Sequence, residues 1–166
     1  MREIGDVQWF LGIRIIRDRD QQRLWLSQDS YIDKIVKQFG LETRKVPDTP
    51  MTEPLRRNEG IATAQQIHEY QQKVGSLLYA AIITRPDIAL TAAKLSEFVQ
   101  NPSRQHIDAV DRAICYLHGT MHYAIEYADN TGPNVFTGAS DAAYADNADQ
   151  KSSKGYLFTL FGRPIN

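Results

Sequence analysis

The chain has 166 residues, 42% apolar and 23% charged, with a formal net charge of −1. That length and composition suit one ordinary globular domain, or a small domain with part of a second. The near-neutral balance excludes nucleic-acid binding through bulk positive charge, so a local basic stripe would have to carry any such contact. The single Cys115 excludes an internal disulfide and reads as a small core residue of a helix in a reducing compartment. The N-terminal MREIGDVQWF is charged where a signal peptide needs an apolar stretch. No run approaches the roughly 18 apolar residues of a membrane span, and the sequence reads as intracellular and soluble. His118 and His122 are separated by Gly119, a helix terminator, which argues against a shared zinc-binding face.

In chain order, Val7, Trp9, Leu11, Ile13 and Ile15 alternate along one expected strand, and RLWLS returns after RDRDQQ to form a hairpin. An isolated two-stranded ribbon is marginal in water, so Trp9 and Trp25 are expected to pack it onto a larger body. Ser27 is the expected N-cap of a helix carrying Tyr31, Ile32, Ile35, Val36 and Phe39 on one stripe, ended by a left-handed Gly40. ETRKVPDTPMTEPLRRNEG, with Pro47, Pro50 and Pro54, has no period and reads as an extended linker. A second helix follows through Tyr70, Val74, Leu77, Leu78, Ala81 and Ile82. Thr84 is expected to cap a third, with Pro86 in its first turn and Asp87 at its third position, and Ser103 opens a fourth that ends at Gly119. The last three helices should pack as an antiparallel bundle. YAIEYA, NVFTGASDA and KGYLFTLFG read as strands. The fold class is therefore α+β: an N-terminal β-hairpin, a small helical bundle and a partial C-terminal sheet.

Four stretches occur together in a telling order: GDVQWFLGIRI, LSQDSYIDKIVKQFGL, VGSLLYAAIITRPDIALTAAKLSEFVQNPSRQHIDAVDRAICYLHGT, and GASDAAYAD followed by KSSKGYLF. Their order and spacing resemble the reverse transcriptase and RNase H region of a copia-type retrotransposon polyprotein, over essentially the whole chain. The resemblance implies a primer-grip-like hairpin and first helix over 1–45 and a linker over 46–65. It implies a thumb- or connection-like bundle over 66–122 and a truncated RNase H-like domain over 123–166. TRPDIA, residues 84–89, is its most diagnostic signature. SDAAYAD resembles the first RNase H strand, with Asp141 at the first catalytic, metal-binding carboxylate, and Ala143 and Tyr144 in place of the family's second acid and tryptophan.

The polymerase Tyr-x-Asp-Asp signature is absent from these residues, and further RNase H carboxylates are expected outside them. Two-metal hydrolysis needs a carboxylate cluster, and magnesium binds one aspartate weakly. The resemblance thus implies Mg2+ in the parent enzyme, none for this chain alone, and no catalysis by the chain alone. Asp146 and Asp149, in ADNADQK, read as turn residues rather than ligands.

Arg14, Arg17, Arg19 and Arg23, then Lys34 and Lys37, then Arg44, Lys45, Arg56 and Arg57 form a basic stripe broken by Asp18 and Asp20. Such a stripe can hold the phosphates of a primer–template with little base specificity. The expected contacts are Trp9, Phe10, Leu11, Gly12, Arg14, Arg17, Arg23, Lys34 and Lys37, on RNA–DNA or DNA. At their spacing Trp9, Phe10, Trp25 and Tyr31 read first as core and second as a stacking surface. Arg85 is expected to pair with Asp87 or Asp111. Other implied partners are the remaining parts of the polyprotein, with no membrane, in a cytoplasmic retrotransposon particle. The alternative is a stand-alone interaction protein of retroelement origin that binds the parent polymerase or particle, or a relic without activity. A resistant core around 66–120 and a labile strand region are expected, because a cut sheet exposes its edges.

Overall fold

A computed structural model of the chain describes residues 5–52, 54–128, 136–143 and 152–165. It is mixed α and β, as the sequence predicts, and divides into two compact units, one from Met1–Ser27 with Ala124–Asn166, the other Gln28–Tyr123.

The first unit holds two antiparallel sheets. β1 (Trp9–Phe10), β2 (Ile13–Asp18), β3 (Arg23–Ser27) and β4 (Ala124–Ala128) lie in that order. The single strand expected from Val7 to Ile15 is instead two strands: Phe10 pairs with Ile13 across a turn in which Leu11 and Gly12 take φ of 50° and 78°. Positive φ at both central positions matches the twist of the flanking strands, which is why two-residue hairpins adopt it. The apolar alternation runs through the turn and disguises it; Gly12 is the only local signal. β5 (Phe136–Ala143), β6 (Ser153–Leu160) and β7 (Arg163–Ile165) form the second sheet. There Phe161 and Gly162 repeat the same turn, at φ of 51° and 74°. The Tyr127 hydroxyl of β4 donates to the Pro164 carbonyl of β7 at 2.9 Å and ties the sheets together. Whereas the sequence segment 123–166 groups β4 with β5–β7, its ladder bonds go to β3, extending the otherwise marginal ribbon.

The second unit is helical: α1 (Asp29–Gln38), α2 (Ala64–Ile83), a 3-10 turn (Pro86–Ile88), α3 (Ala89–Ser96) and α4 (Arg104–Gly119). Ile32, Ile35 and Val36 of α1 join one core with Tyr70, Val74 and Leu77 of α2, Leu95 of α3, and Val110, Ile114 and Leu117 of α4. α1 therefore packs with the bundle, in a different unit from the hairpin with which the 1–45 segment grouped it.

The helix ends differ instructively from expectation. Ser27 ends β3, and the N-cap of α1 is Gln28, whose buried Oε1 accepts from the Thr84 hydroxyl at 2.8 Å. Thr84 is accordingly the C-cap of α2 rather than the start of the next helix; Pro86 begins the 3-10 turn that leads into α3. Gly40 does end α1 at φ 64°, with Leu41 N–H donating to the Val36 carbonyl at 3.0 Å. Ser103 caps α4 as expected, its backbone N–H donating to His106 Nδ1 at 2.8 Å. Gly119 remains inside α4, and a Cβ there would collide with the Val46 side chain. Close approach, not a left-handed turn, is the reason for that glycine.

Val46 belongs to the stretch expected to be an extended linker, and the stretch is packed as a strap. Leu55 packs on the core, and Arg112 Nε donates to the Thr49 carbonyl at 3.1 Å. Asn101 Oδ1 accepts from Ala62 N–H at 2.8 Å, while Asn101 Nδ2 donates to the Gly60 carbonyl at 2.9 Å. Prolines bar this stretch from helix and sheet, so side-chain amides and guanidinium satisfy its backbone groups.

Candidate nucleic-acid interface

Antiparallel partners share a sheet face, so the register sorts the hairpin side chains. Trp9, Arg14, Ile16, Trp25, Arg23 and Glu126 lie on one face of the β1–β4 sheet; Phe10, Ile15, Arg17, Leu24 and Tyr127 lie on the other. The expected basic stripe is thus divided, with Arg14 and Arg23 on the tryptophan face and Arg17 opposite. Lys34 and Lys37 lie exposed on α1 in the helical unit, Lys37 bonded to Asp33 at 2.7 Å.

Trp9 is 51% exposed, Phe10 59% and Leu11 73%. The core reading of Trp9 and Phe10 is therefore corrected: β1 is the outermost strand, two residues long, and its side chains have no strand beyond them. Trp25, on an inner strand, is half-buried. Tyr31 packs against the helical core, its hydroxyl donating to the Ser76 carbonyl at 3.2 Å. Arg19 pairs with Asp6 at 2.5 Å and Arg23 with Glu126 at 3.5 Å, whereas Arg17 has no carboxylate partner among the described residues.

Over the Arg17 face lies a cleft of about 860 Å3, floored by Ile15, Leu24 and Tyr127 and walled on one side by Phe161 from the β6–β7 turn. Sequence reasoning passes over Tyr127 and Phe161. The available signal is the Phe161-Gly162 pair, which repeats the pattern of Leu11-Gly12 at the other hairpin tip.

Asp141 stands exposed on β5 opposite Gly155, and its Oδ1 accepts the N–H of Ala142 at 2.9 Å. Among the described residues no group of three or more His, Cys, Asp or Glu is placed to hold a metal ion. With no such group beside it among the described residues, the exposed Asp141 carboxylate does not fit two ions held about 4 Å apart, as two-metal hydrolysis requires. Tyr144, Asp146 and Asp149 lie outside the described residues. Among those described, no helix is long and apolar enough to cross a membrane.

The TRPD segment forms a clasp within the helical unit. Arg85 is almost fully buried; its Nε and Nη2 reach the two Asp87 carboxylate oxygens at 2.9 and 2.6 Å, and its Nη1 donates to the Thr120 carbonyl at 3.1 Å. The Tyr116 and Tyr123 rings flank the guanidinium, and the Tyr116 hydroxyl also donates to Asp87. Burial pushes the Asp87 carboxyl up, but the Arg85 bonds and charge outweigh it and hold the group below its ordinary value. The other expected partner, Asp111, instead meets Lys73 at 2.7 Å and Arg44 at 3.2 Å. TRPD therefore joins the ends of α2 and α4, and its charges are satisfied internally.

No protein-family model and no solved structure matches the chain. Over its whole length it is 34% identical, across 174 residues, to the retrovirus-related Pol polyprotein from transposon TNT 1-94 of Nicotiana tabacum, covering 13% of that protein. The chain belongs to the Pol polyproteins of copia-type transposons. Shorter relatives are also found. A transposon Ty5-1 protein of Saccharomyces cerevisiae is 30% identical over 169 residues, 99% of this chain and 54% of its own length. The secreted RxLR effector protein 161 of Plasmopara viticola is 36% identical over 94 residues, 56% of this chain and 66% of its own. This copia-type segment thus spans a small part of the tobacco polyprotein and about half of the yeast protein.

Proposed function

We propose that this Pol segment is the end of a reverse transcriptase running into the start of RNase H, and that it contributes primer–template binding without catalysis of its own. The observation that supports the reading best is the β1–β2 tip: Trp9, Phe10 and Leu11 are each more than half exposed, and Arg14 lies directly across from Trp9. Apolar side chains clustered in water mark a surface for a partner. Aromatic faces stack bases without regard to sequence, and neighbouring guanidinium groups take phosphates. In this reading magnesium belongs to the complete polyprotein, whose other segments supply the remaining carboxylates and act within the cytoplasmic particle.

Fluorescence anisotropy with a labelled RNA–DNA primer–template tests it. The wild-type chain should bind with an affinity that falls steeply with salt, and the double variant Trp9→Ala/Phe10→Ala should bind on the order of tenfold more weakly. Undiminished binding by the double variant would remove the hairpin from the interface. Magnesium-dependent cleavage of an RNA–DNA hybrid, lost in Asp141→Asn, would overturn the absence of catalysis.

The shorter relatives favour a second reading, since related segments occur in proteins of which this chain spans 54% and 66%. It is a stand-alone protein that binds the parent polymerase or particle. Co-purification with an intact copia-type polymerase after nuclease treatment supports it; no association at micromolar concentration counts against it.

A further inference from the structure

The cleft over the Arg17 face combines features that the hairpin tip does not. Its floor of Ile15, Leu24 and Tyr127 is apolar and partly aromatic, and the Tyr127 ring is pinned by its hydroxyl bond to the Pro164 carbonyl at 2.9 Å. Its side wall is Phe161, 37% exposed, at the first central position of the β6–β7 turn with φ 51°. A bulky side chain is disfavoured in that left-handed region, where Asn or Gly sits easily. Arg19 and Arg23 are tied to Asp6 and Glu126, which leaves Arg17 as the lining guanidinium without a carboxylate among the described residues.

The lining also holds Asp6, paired with Arg19, and Asp18, whose Oδ1 accepts the Gln21 N–H at 2.9 Å, so it is the end of the cleft where Arg17 meets the apolar floor that suits a ligand having an aromatic face and one anionic group. A volume of about 860 Å3 is that of a small-ligand site. We infer that this cleft holds an unpaired nucleotide of a single strand, its base against Phe161 and Tyr127 and its phosphate at Arg17. The inference rests on the primer–template reading and adds to it a path for the strand beyond the paired region, on the sheet face opposite Trp9.

The probes are a labelled thymidine hexanucleotide, a blunt RNA–DNA hybrid and free thymidine monophosphate, each titrated with the whole chain. The hexanucleotide should bind, and Arg17→Glu and Phe161→Asn should each weaken it on the order of tenfold. Asn suits the turn, so the second variant removes the ring while keeping the backbone. Phe161→Asn should leave the blunt hybrid unaffected. Arg104→Glu makes the same charge change on α4, where Arg104 faces Asp108 at 3.0 Å, and should have little effect. No hexanucleotide binding, equal binding by Phe161→Asn, or equal losses in Arg17→Glu and Arg104→Glu would overturn the inference. Monophosphate competing as well as the hexanucleotide would overturn its assignment to a strand. Hexanucleotide binding that persists in the cleft while the wild-type chain ignores the hybrid would sink the primer–template reading and leave this site standing.

Discussion

In the helical unit Tyr70, Leu77, Ile88, Leu95 and Ile114 are at most 1% exposed; in the sheet unit Trp9, Phe10, Leu11, Phe136 and Tyr156 are all above 50%. Both sets are large apolar side chains, and all but Leu11, which sits in the β1–β2 turn, belong to helices or strands. The difference lies in what each element is given to pack against. Four helices contribute to one core, with α2, α3 and α4 packed on one another and α1 packed on α4. A sheet has two faces and two edges: β1 and β5 stand at edges that no further described strand covers, and Tyr156, on the inner strand β6, is exposed on a sheet face. Polar groups follow the same division. Arg85, Lys73 and Asp111 are buried with their charges matched in the helical unit, whereas the hairpin arginines are exposed, and the Arg19–Asp6 and Arg23–Glu126 pairs lie at the surface. One unit uses its sequence for stability and the other leaves side chains available.

The strongest way to break that comparison is Arg85→Met. It leaves the Asp87 carboxylate and the Thr120 carbonyl without their shared donor, and because Asp87 is itself partly in water the loss of these charge-assisted bonds should cost about 3 kcal/mol. Urea unfolding followed by helical circular dichroism should show a loss of that order. Arg85→Lys should recover only part of it, because an ammonium cannot make the forked contact. A cost near that of a surface substitution would mean the clasp is not what holds α2 and α4 together.

Next in size is Gly119→Ala, whose new Cβ meets Val46; overpacking of this kind costs about 1–3 kcal/mol. Val46→Ala should relieve much of that cost, so the double-mutant cycle should show positive coupling. Additive effects would indicate that the strap is free to move off α4.

Burial holds the imidazole of His106 below its ordinary value of 6.5. Its folded form therefore binds protons less readily than its unfolded form, so its contribution to stability is complete above that pH and is lost as the pH falls below it. Asp87 acts with the same sign lower down: its depressed carboxyl contributes above 3.8 and is lost in stronger acid. Chemical denaturation between pH 7 and pH 5 should show the wild-type helical unit weakening, and His106→Asn should flatten that dependence. A wild-type profile that is level over this range would show that His106 charges in place.

The smallest effects belong to the sheet unit. Trp9→Ala should change stability by no more than about 0.5 kcal/mol, as for exposed positions elsewhere, while reducing primer–template binding. Leu11→Asn, at φ 50°, should be neutral or slightly stabilising. Hydrogen exchange should protect α2 and α4 well beyond β5 and β6. Equal protection would mean that the second sheet has found cover in solution.

Much of this was legible in residue order. The stripes Tyr70-Val74-Leu77 and Val110-Ile114-Leu117 announce helices, Gly40 announces a left-handed end, and the quoted stretches carry the family resemblance. The candidate site was legible only in part. Alternation places Val7 through Ile15 on one strand because a two-residue turn with an apolar first position keeps the period unbroken. Arg14 and Arg17 read as one stripe because charge spacing carries no sheet face. Once the strand is known, their separation of three sets them on opposite sides. Asp141 was identifiable by resemblance alone, and among the described residues it belongs to no group of three or more His, Cys, Asp or Glu placed to hold a metal ion.

The sequence by itself determined the local terms: which segments are helical or extended, where Gly and Pro interrupt them, and what family the chain joins. Those depend on each residue's own backbone preferences and on near neighbours. Tertiary structure alone decided that α1 packs with the bundle, that β4 joins the hairpin, that the proline-rich stretch is a strap, and that TRPD is an internal clasp. It also brought Phe161 to the cleft beside Arg17 and Tyr127. Such pairings join residues tens of positions apart through burial and hydrogen-bond geometry, and those energies exist only once the chain has closed on itself.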